Sequence, residues 1–547
     1  MTASTPRNQS FQQCRIRQIL PWLLLILALS SLPYLLAWLQ TPADKLFLGA
    51  LINSEDLATY LSAMRQGRAG GWLYHFSYSP EPWQPKLMNF PYLAVGKLAG
   101  VMGGDLLLWY HLFRLTAAGF VLLMILFWVR TLFPGKSRLQ LTSWFIIALG
   151  GGIGWLVAIL GIYTSSPDLT SPEWSVFMGI FHTPHFALGL SLEIALFASV
   201  VQVIRDPANW KWVAAGALLG LASGLTYVYH IPIAGLVIGF SVLAEMGQKR
   251  RVLWRLVGAT AVILLPSTLL LIYYTVVANQ DPFFAYYSAV VHVIRPPQPL
   301  AALAGLGFLT VMALAGLRGW FRNGRSWLVP IWALINSTLL YVPLTHYMGR
   351  FILGMIVPVS TLAAYGLEET ILPYLVKRPF YTYFSRLTPT PYASLRRIFI
   401  FLVIPSTIII PFWLARDVAQ QSDFPTYVLQ SEVEAAHWLA DHTQATDLIL
   451  SDYPMGNYLP REVESKLFAS HFHFTTVIDA KKALVKQFWQ TDTSSAWRQA
   501  LLDTWGIDYV YEGVFERALG DGDVPIPGAI VFENETVTIY KIISENE

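Results

Sequence analysis

Through residue 416 the apolar positions come in unbroken blocks of about twenty, not in alternation with polar ones, and that is the length a helix needs to cross a bilayer. Eleven such blocks are predicted as spans, at 19–39, 106–129, 142–163, 184–204, 211–228, 231–246, 254–277, 300–317, 327–345, 351–369 and 398–415. One long interruption, 40–105, is too apolar for a loose linker. Within it Leu57, Leu61 and Met64 fall on one face of an amphipathic helix over Glu55–Gly67, with Asn53 as its cap. The stretch from Tyr78 to Pro85, with three prolines, is expected to lie extended, and 90–101 to form an interfacial helix.

Beyond Asp417 the pattern changes to short apolar runs between helix-period segments. Ser431-Glu-Val-Glu434 reads as a capping box opening a helix. A strand at 447–453 runs into Pro-Met-Gly, and Met455-Gly-Asn457 reads as a turn. Helices follow at 480–489 and 494–504, with strands at 508–512, 529–533 and 537–542. The predicted fold is an all-α polytopic membrane domain of about 11 helices (1–416, with the first outer loop 40–105) followed by a soluble α/β domain (417–547). No internal repeat, Walker motif or dinucleotide fingerprint is present.

Composition agrees with this division. Charged residues are 13% of the chain and the mean hydropathy is +0.47, which excludes a soluble globular enzyme or a disordered chain. Cys14 is the sole cysteine, so an intrachain disulfide or a cysteine zinc site is impossible. Residues 1–416 carry 29 Lys and Arg against 13 Asp and Glu, whereas 417–547 carry 8 against 21. Arg7, Arg15 and Arg17 precede the first block, which is too long for a signal-peptide core and is read as a retained helix. The alternate connections hold the basic residues, including Lys249, Arg250, Arg251, Arg322 and Arg325, while the short outer loops hold only Arg295 and Arg350. The basic, aromatic segment Leu372–Arg397 suits an anionic cytoplasmic leaflet. The positive-inside rule then predicts a multi-pass cell (inner) membrane protein with a cytoplasmic N-terminus and the C-terminal domain on the outer, periplasmic side.

Carboxylates are scarce in the membrane part, and Glu55-Asp56 is the one adjacent pair expected outside. A carboxylate there can serve as general base on an acceptor, or both acids can simply face the helix dipole. Arg350, in the short loop His346-Tyr-Met-Gly-Arg350, and Arg114, inside a span, are candidates to bind a lipid phosphate, with headgroup snorkelling as the alternative. No acidic partner for Arg350 is found in the local sequence. His182, His185 and His346 can hydrogen-bond a phosphate or be plain interface histidines, and His230 is a fourth in this outer group. Glu193 reads as a proton-relay acid or as the partner of Arg114 or a histidine. No residue is assigned as a metal ligand.

This arrangement of a first helix, a long outer loop opening on an acidic pair, about a dozen spans and an outer soluble domain resembles the GT-C superfamily of integral-membrane glycosyltransferases. The strings Asn53-Ser-Glu-Asp-Leu-Ala-Thr-Tyr60, Met64-Arg-Gln66 with Trp72, Tyr110-His-Leu-Phe-Arg114, Gly151-Gly-Ile-Gly-Trp155 and Pro184-His-Phe186 are similar to landmarks of uncharacterised bacterial members. They are related to the protein O-mannosyltransferases and the lipid A aminoarabinose transferase, and the resemblance extends to Trp438-Leu439 and Asp508-Tyr-Val510. It implies inverting transfer of a monosaccharide from a polyprenyl-phosphate carrier to an acceptor glycan, lipid or protein, without nucleic acid. The first-loop base maps to Glu55 or Asp56, with Asp56 preferred, and the phosphate ligand maps to Arg350. Some members bind a divalent metal through acidic loop motifs, which Asp168 and Glu173 match poorly. The alternatives are a transporter or flippase of a lipid-linked or small polar solute, which expects paired broken helices and internal repeats, and a non-catalytic assembly protein with a sensing outer domain. A topology reporter fused after Glu547 is expected to be active only outside the cytoplasm; cytoplasmic activity would reverse the orientation.

Overall fold

The computed structural model describes residues 13–162, 166–520 and 522–543. Arg7 and the terminal Glu547 lie outside the described residues. Two compact units are formed, both discontinuous in sequence.

Of the described residues, the first unit comprises 13–32, 112–162, 166–274 and 294–413 and is helical. Among the described residues of the whole chain, six helices are long and apolar enough to cross a membrane: Ile16–Leu39, Leu106–Leu132, Pro184–Arg205, His230–Lys249, Trp254–Gln280 and Met348–Val376. The number rises to eight if two bent pairs each count as one span. The eleven predicted spans are therefore not matched by eleven uninterrupted helices, and local chemistry explains the breaks. The block 300–317 bends by 78° at Gly307, which has positive φ. The block 398–415 bends by 51° where Pro405 starts a new helix. The block 142–163 ends early because helix Ser137–Leu149 stops at Gly150.

That stop is a built turn. Asp168 accepts the backbone N–H groups of Gly152 (3.0 Å) and Gly154 (3.1 Å), so its carboxylate serves donors that the broken helix leaves over. A Cβ on Gly154 would fall on the Asp168 carboxylate, and one on Gly152 on the Ala304 carbonyl. The rest of the unit is packed on large aromatics. Trp128 meets Trp332 edge to face at 5.6 Å and donates to Thr361 Oγ1 at 3.0 Å.

The second unit comprises 33–111, 275–293 and 414–543 of the described residues. Its strands are β1 (Lys45–Phe47), β2 (Tyr427–Leu429), β3 (Leu448–Leu450), β4 (Lys466–Leu467), β5 (Tyr509–Glu512), β6 (Ala529–Glu533) and β7 (Thr538–Lys541). β1 pairs antiparallel with β2. The other five form one sheet in the order β4-β3-β5-β7-β6, parallel among β4, β3 and β5 and antiparallel at β7 and β6. Both faces of β3 are buried: Ile449 points into one core and Leu448 and Leu450 into another, which accounts for an apolar run without alternation.

The first-loop helices appear as Ser54–Arg68 and Phe90–Met102. The proline-rich stretch between them is non-helical, as expected, and is pinned at Tyr78 O by Thr475 Oγ1 (2.6 Å) and at Glu81 by Lys481 (2.7 Å). Three local expectations fail. Asn53 sits in the left-handed region and makes no side-chain cap. Ser431 lies inside helix Gln430–His442, where its hydroxyl bonds Thr536, so the capping box is not made. Met455-Gly-Asn457 belongs to a helix, Tyr453–Tyr458, because Pro454 occupies a first-turn position that favours helix initiation.

Gly154→Ala should destabilise the protein by about 1–3 kcal/mol, since the Asp168 cradle must open. Gly119→Ala, within helix Leu106–Leu132 with open space around it, should cost nothing. Unfolding midpoints of the two variants check this, and equal midpoints would contradict the cradle.

Candidate functional site

The acidic pair lies in the second unit at the start of helix Ser54–Arg68, and its two members face different partners. Successive helical residues are about 100° apart. Both oxygens of Glu55 accept from the Tyr453 hydroxyl, at 3.0 and 2.9 Å. Burial and the Glu55 charge hold the Tyr453 hydroxyl well above the usual phenol range, so it stays a donor. Asp56 keeps about a third of its side chain exposed and lies 3.5 Å from Nε2 of the wholly buried His471.

The tautomer of His471 follows from its other nitrogen. Nδ1 accepts the His473 backbone N–H at 3.1 Å, so the proton of the neutral ring resides on Nε2, the atom facing Asp56. A contact at 3.5 Å is loose for a hydrogen bond and of the kind that tightens when substrate arrives. Sequence reasoning missed Tyr453, His471 and His473. The string His471-Phe-His473 was a visible signal, but nothing local ties it to a loop some four hundred residues earlier.

Helix Tyr453–Tyr458 is itself anchored by a buried acid. Glu516 accepts the backbone N–H groups of Asp452 (2.7 Å) and Gly513 (3.0 Å), and Glu432 also approaches Gly513. Burial pushes the Glu516 carboxyl up to about 8 and the Glu432 carboxyl up to about 7, even against backbone donors that favour the charged form.

The basic candidates lie in the first unit. Arg350 Nη1 forms an ion pair with Glu173, an acid far from the local sequence in which none was found. The Tyr227 hydroxyl donates to Arg350 O at 3.0 Å, and the His185 ring stacks on Tyr227. His182 is buried at the end of helix Val176–His182 beside Phe186. The structure thus gathers Arg350, Glu173, Tyr227 and His185. His346 is exposed and contributes its backbone carbonyl to Ile294 N–H at 3.0 Å. Arg114 is buried elsewhere and donates to Ser30 O and Ser31 Oγ, both at 3.3 Å. Glu193 lies 3.6 Å from His230, the histidine pairing among its alternatives. Among the described residues, no group of three or more His, Cys, Asp or Glu is placed to hold a metal ion.

The fold is similar to those of two solved proteins, an archaeal oligosaccharyltransferase and ArnT. The oligosaccharyltransferase of Archaeoglobus fulgidus, crystallised with a tethered acceptor peptide, is similar at 12% identity over 90% of this chain and 69% of that chain, with a TM-score of 0.52. The same archaeal enzyme in complex with an inhibitory peptide and a dolichol-phosphate gives a TM-score of 0.51 at 12% identity, over 90% of this chain and 69% of that one. ArnT from Cupriavidus metallidurans bound to undecaprenyl phosphate is similar at 12% identity over 96% of this chain and 98% of that chain, with a TM-score of 0.51. At such identity the likeness is one of fold. No family model and no curated protein matches the sequence.

The raised acids give a pH dependence of known sign. Between the unfolded carboxyl value of about 4.3 and the folded values, the native state binds more protons than the unfolded state. Stability should therefore be full below about pH 4.3 with respect to these groups and fall as pH rises, by at most about 1.4 kcal/mol per pH unit for each acid, levelling above the folded values. Glu516→Gln, which stays neutral, should flatten the slope. Unfolding midpoints between pH 5 and 9 measure it, and a midpoint that rises with pH in the wild type but not in Glu516→Gln would reverse the assignment.

Proposed function

We propose that the protein is a membrane glycosyltransferase that moves a monosaccharide from a polyprenyl-phosphate carrier to an acceptor, with inversion. The observation that carries this reading is the whole-chain fold likeness to a transferase crystallised with undecaprenyl phosphate. The chemistry of the two residue groups supports it. Asp56 is the general base: it is partly exposed and flanked by a neutral histidine donor, whereas both oxygens of Glu55 are engaged by Tyr453. Arg350 is the phosphate ligand, with His182 and His185 near its group and His346 and Arg114 as secondary candidates. Glu173 fixes the orientation of the Arg350 guanidinium, whose planar fork matches a phosphate.

During transfer the phosphate gains charge as the sugar departs, and a preorganised cation stabilises that change more than it stabilises bound donor. In this reading the N-terminus is cytoplasmic, 1–416 is the membrane domain, and 417–547 works at the outer face. The two bent helix pairs favour a second reading, a transporter of a lipid-linked solute. Vesicle assays that score lipid movement separately from sugar transfer distinguish the two.

Asp56→Asn should reduce transfer by about 10²–10⁴-fold while leaving folding and lipid binding intact. Wild-type turnover in both Asp56→Asn and Glu55→Gln would end this mechanism. Arg350→Lys keeps the charge but loses the planar fork, so donor use should weaken by about tenfold, with Arg350→Ala worse in both donor requirement and chemical step. Donor-saturation curves measure this, and unchanged curves for both variants would leave Arg350 a purely structural ion pair.

A further inference from the structure

Within the first unit, helices Leu106–Leu132, Pro184–Arg205, His230–Lys249 and Phe308–Arg322 all end around a half-open cavity of about 300 Å³. Helix Pro184–Arg205 carries His185 at its other end, so the cavity lies about 30 Å from the Arg350 group.

Two guanidiniums converge on this cavity. Arg205 Nη2 donates to Thr131 O at 2.8 Å and Arg325 Nη1 to Leu132 O at 3.2 Å, so both cap the last two carbonyls of one helix. The Arg325 guanidinium also lies over the Phe133 and Tyr365 rings, at 5.7 and 5.8 Å, which fixes its direction. Neither arginine forms an ion pair among the described residues. Arg325 Nη2 makes no hydrogen bond among the described residues and is not buried, and Arg205 is exposed, so both lining side chains keep accessible donors. Lys249 adds a third cation, 3.6 Å from Glu245, the acid in the lining. Positive charge therefore exceeds negative charge by two.

That excess selects the ligand. An ammonium is repelled, and a neutral molecule leaves the like charges facing each other. A carboxylate offers two oxygens, fewer than two planar forks can bond, whereas a phosphate offers three or more in the geometry that guanidiniums match. Ser326 adds a hydroxyl: its Oγ accepts the Leu328 N–H at 3.3 Å, which leaves its proton to donate. Basic residues that only mark one face of a membrane spread into water, as the exposed Arg322 does outside this lining. Here they are held together on a fixed frame.

We propose that this cavity binds a phosphate group, borne by an anionic lipid headgroup or by a soluble phosphate ester. Nothing in the site depends on the transferase reading.

The test titrates the full chain in neutral detergent, by isothermal calorimetry, with glycerol 3-phosphate and with dihexanoyl phosphatidylglycerol below its micelle concentration; acetate is the contrast. At least one of the two phosphates should bind in the millimolar range or tighter, and about tenfold better than acetate. Tighter binding of phosphatidylglycerol assigns the phosphate to lipid, and equal or tighter binding of glycerol 3-phosphate assigns it to a soluble ester. Arg205→Gln and Arg325→Gln should each weaken binding about tenfold, the loss of one charge-assisted hydrogen bond. Arg322→Gln should leave it unchanged. Arg205→Gln alters an exposed side chain and decides the matter if Arg325→Gln does not fold.

The proposal is overturned if neither phosphate binds, if acetate binds as well, or if the folded Arg205 and Arg325 variants bind as the wild type does. It is equally overturned if Arg322→Gln loses as much as Arg205→Gln, which is the response of a diffuse basic surface.

Discussion

The backbone contact between the two first-loop helices is the constraint on which the acidic site depends. A Cβ on Gly67 would fall on the Leu93 carbonyl, and one on Gly96 on the Met64 carbonyl, so helices Ser54–Arg68 and Phe90–Met102 touch without intervening side chains. Tyr60 and Tyr92 stack beside the contact at 4.2 Å, and Arg65 ties the far end of the helix to Glu464 at 3.1 Å. With rotation and sliding both blocked, the first turn has one orientation. That orientation sends Glu55 to Tyr453 and Asp56 to His471, and so divides two adjacent acids into a clamped one and a partly exposed one.

Several charges withdrawn from water are paired with an opposite charge within one unit. Lys481 is 1% exposed and bonds Glu81, Lys86 meets Asp281 at 2.5 Å, and Arg350 meets Glu173. Buried pairs of this kind add little net stability over apolar packing, but removing one member strands the other. Their value lies in fixing geometry. Lys481 and Glu81 hold the extended proline-rich stretch against the C-terminal segment, and Glu173 limits the directions the Arg350 guanidinium can take.

The same logic explains how the C-terminal segment is fixed against the first loop. Helix Tyr453–Tyr458 carries Tyr453, Asn457 and Tyr458, and it starts where the Glu516 carboxyl receives the Asp452 N–H. An acid buried deeply enough to favour its neutral form is a poor charge but a good anchor, because it accepts backbone donors without requiring a counterion. The helix thereby brings Tyr453 to Glu55 on an element fixed by backbone, not on a flexible loop.

Some of this was readable in the sequence alone. Apolar block length located the helices, short apolar runs located β5, β6 and β7, and the leucine and methionine stripe located the first-loop helix to within a residue or two. These are local properties: helical or strand periodicity and desolvation act on neighbours along the chain. The acidic pair and Arg350 were also legible, because charge is rare enough in an apolar chain to stand out. What lay beyond the sequence was the partner of each of these groups. Tyr453 and His471 for the acids, Glu173 for Arg350 and Asp168 for the glycine turn come from segments that carry no mark of the pairing. The breaks at Gly307 and Pro405 likewise show hydropathy without direction. Local pattern determines which elements form, while pairing free energies are set by distances across the fold, and only packing decides those distances.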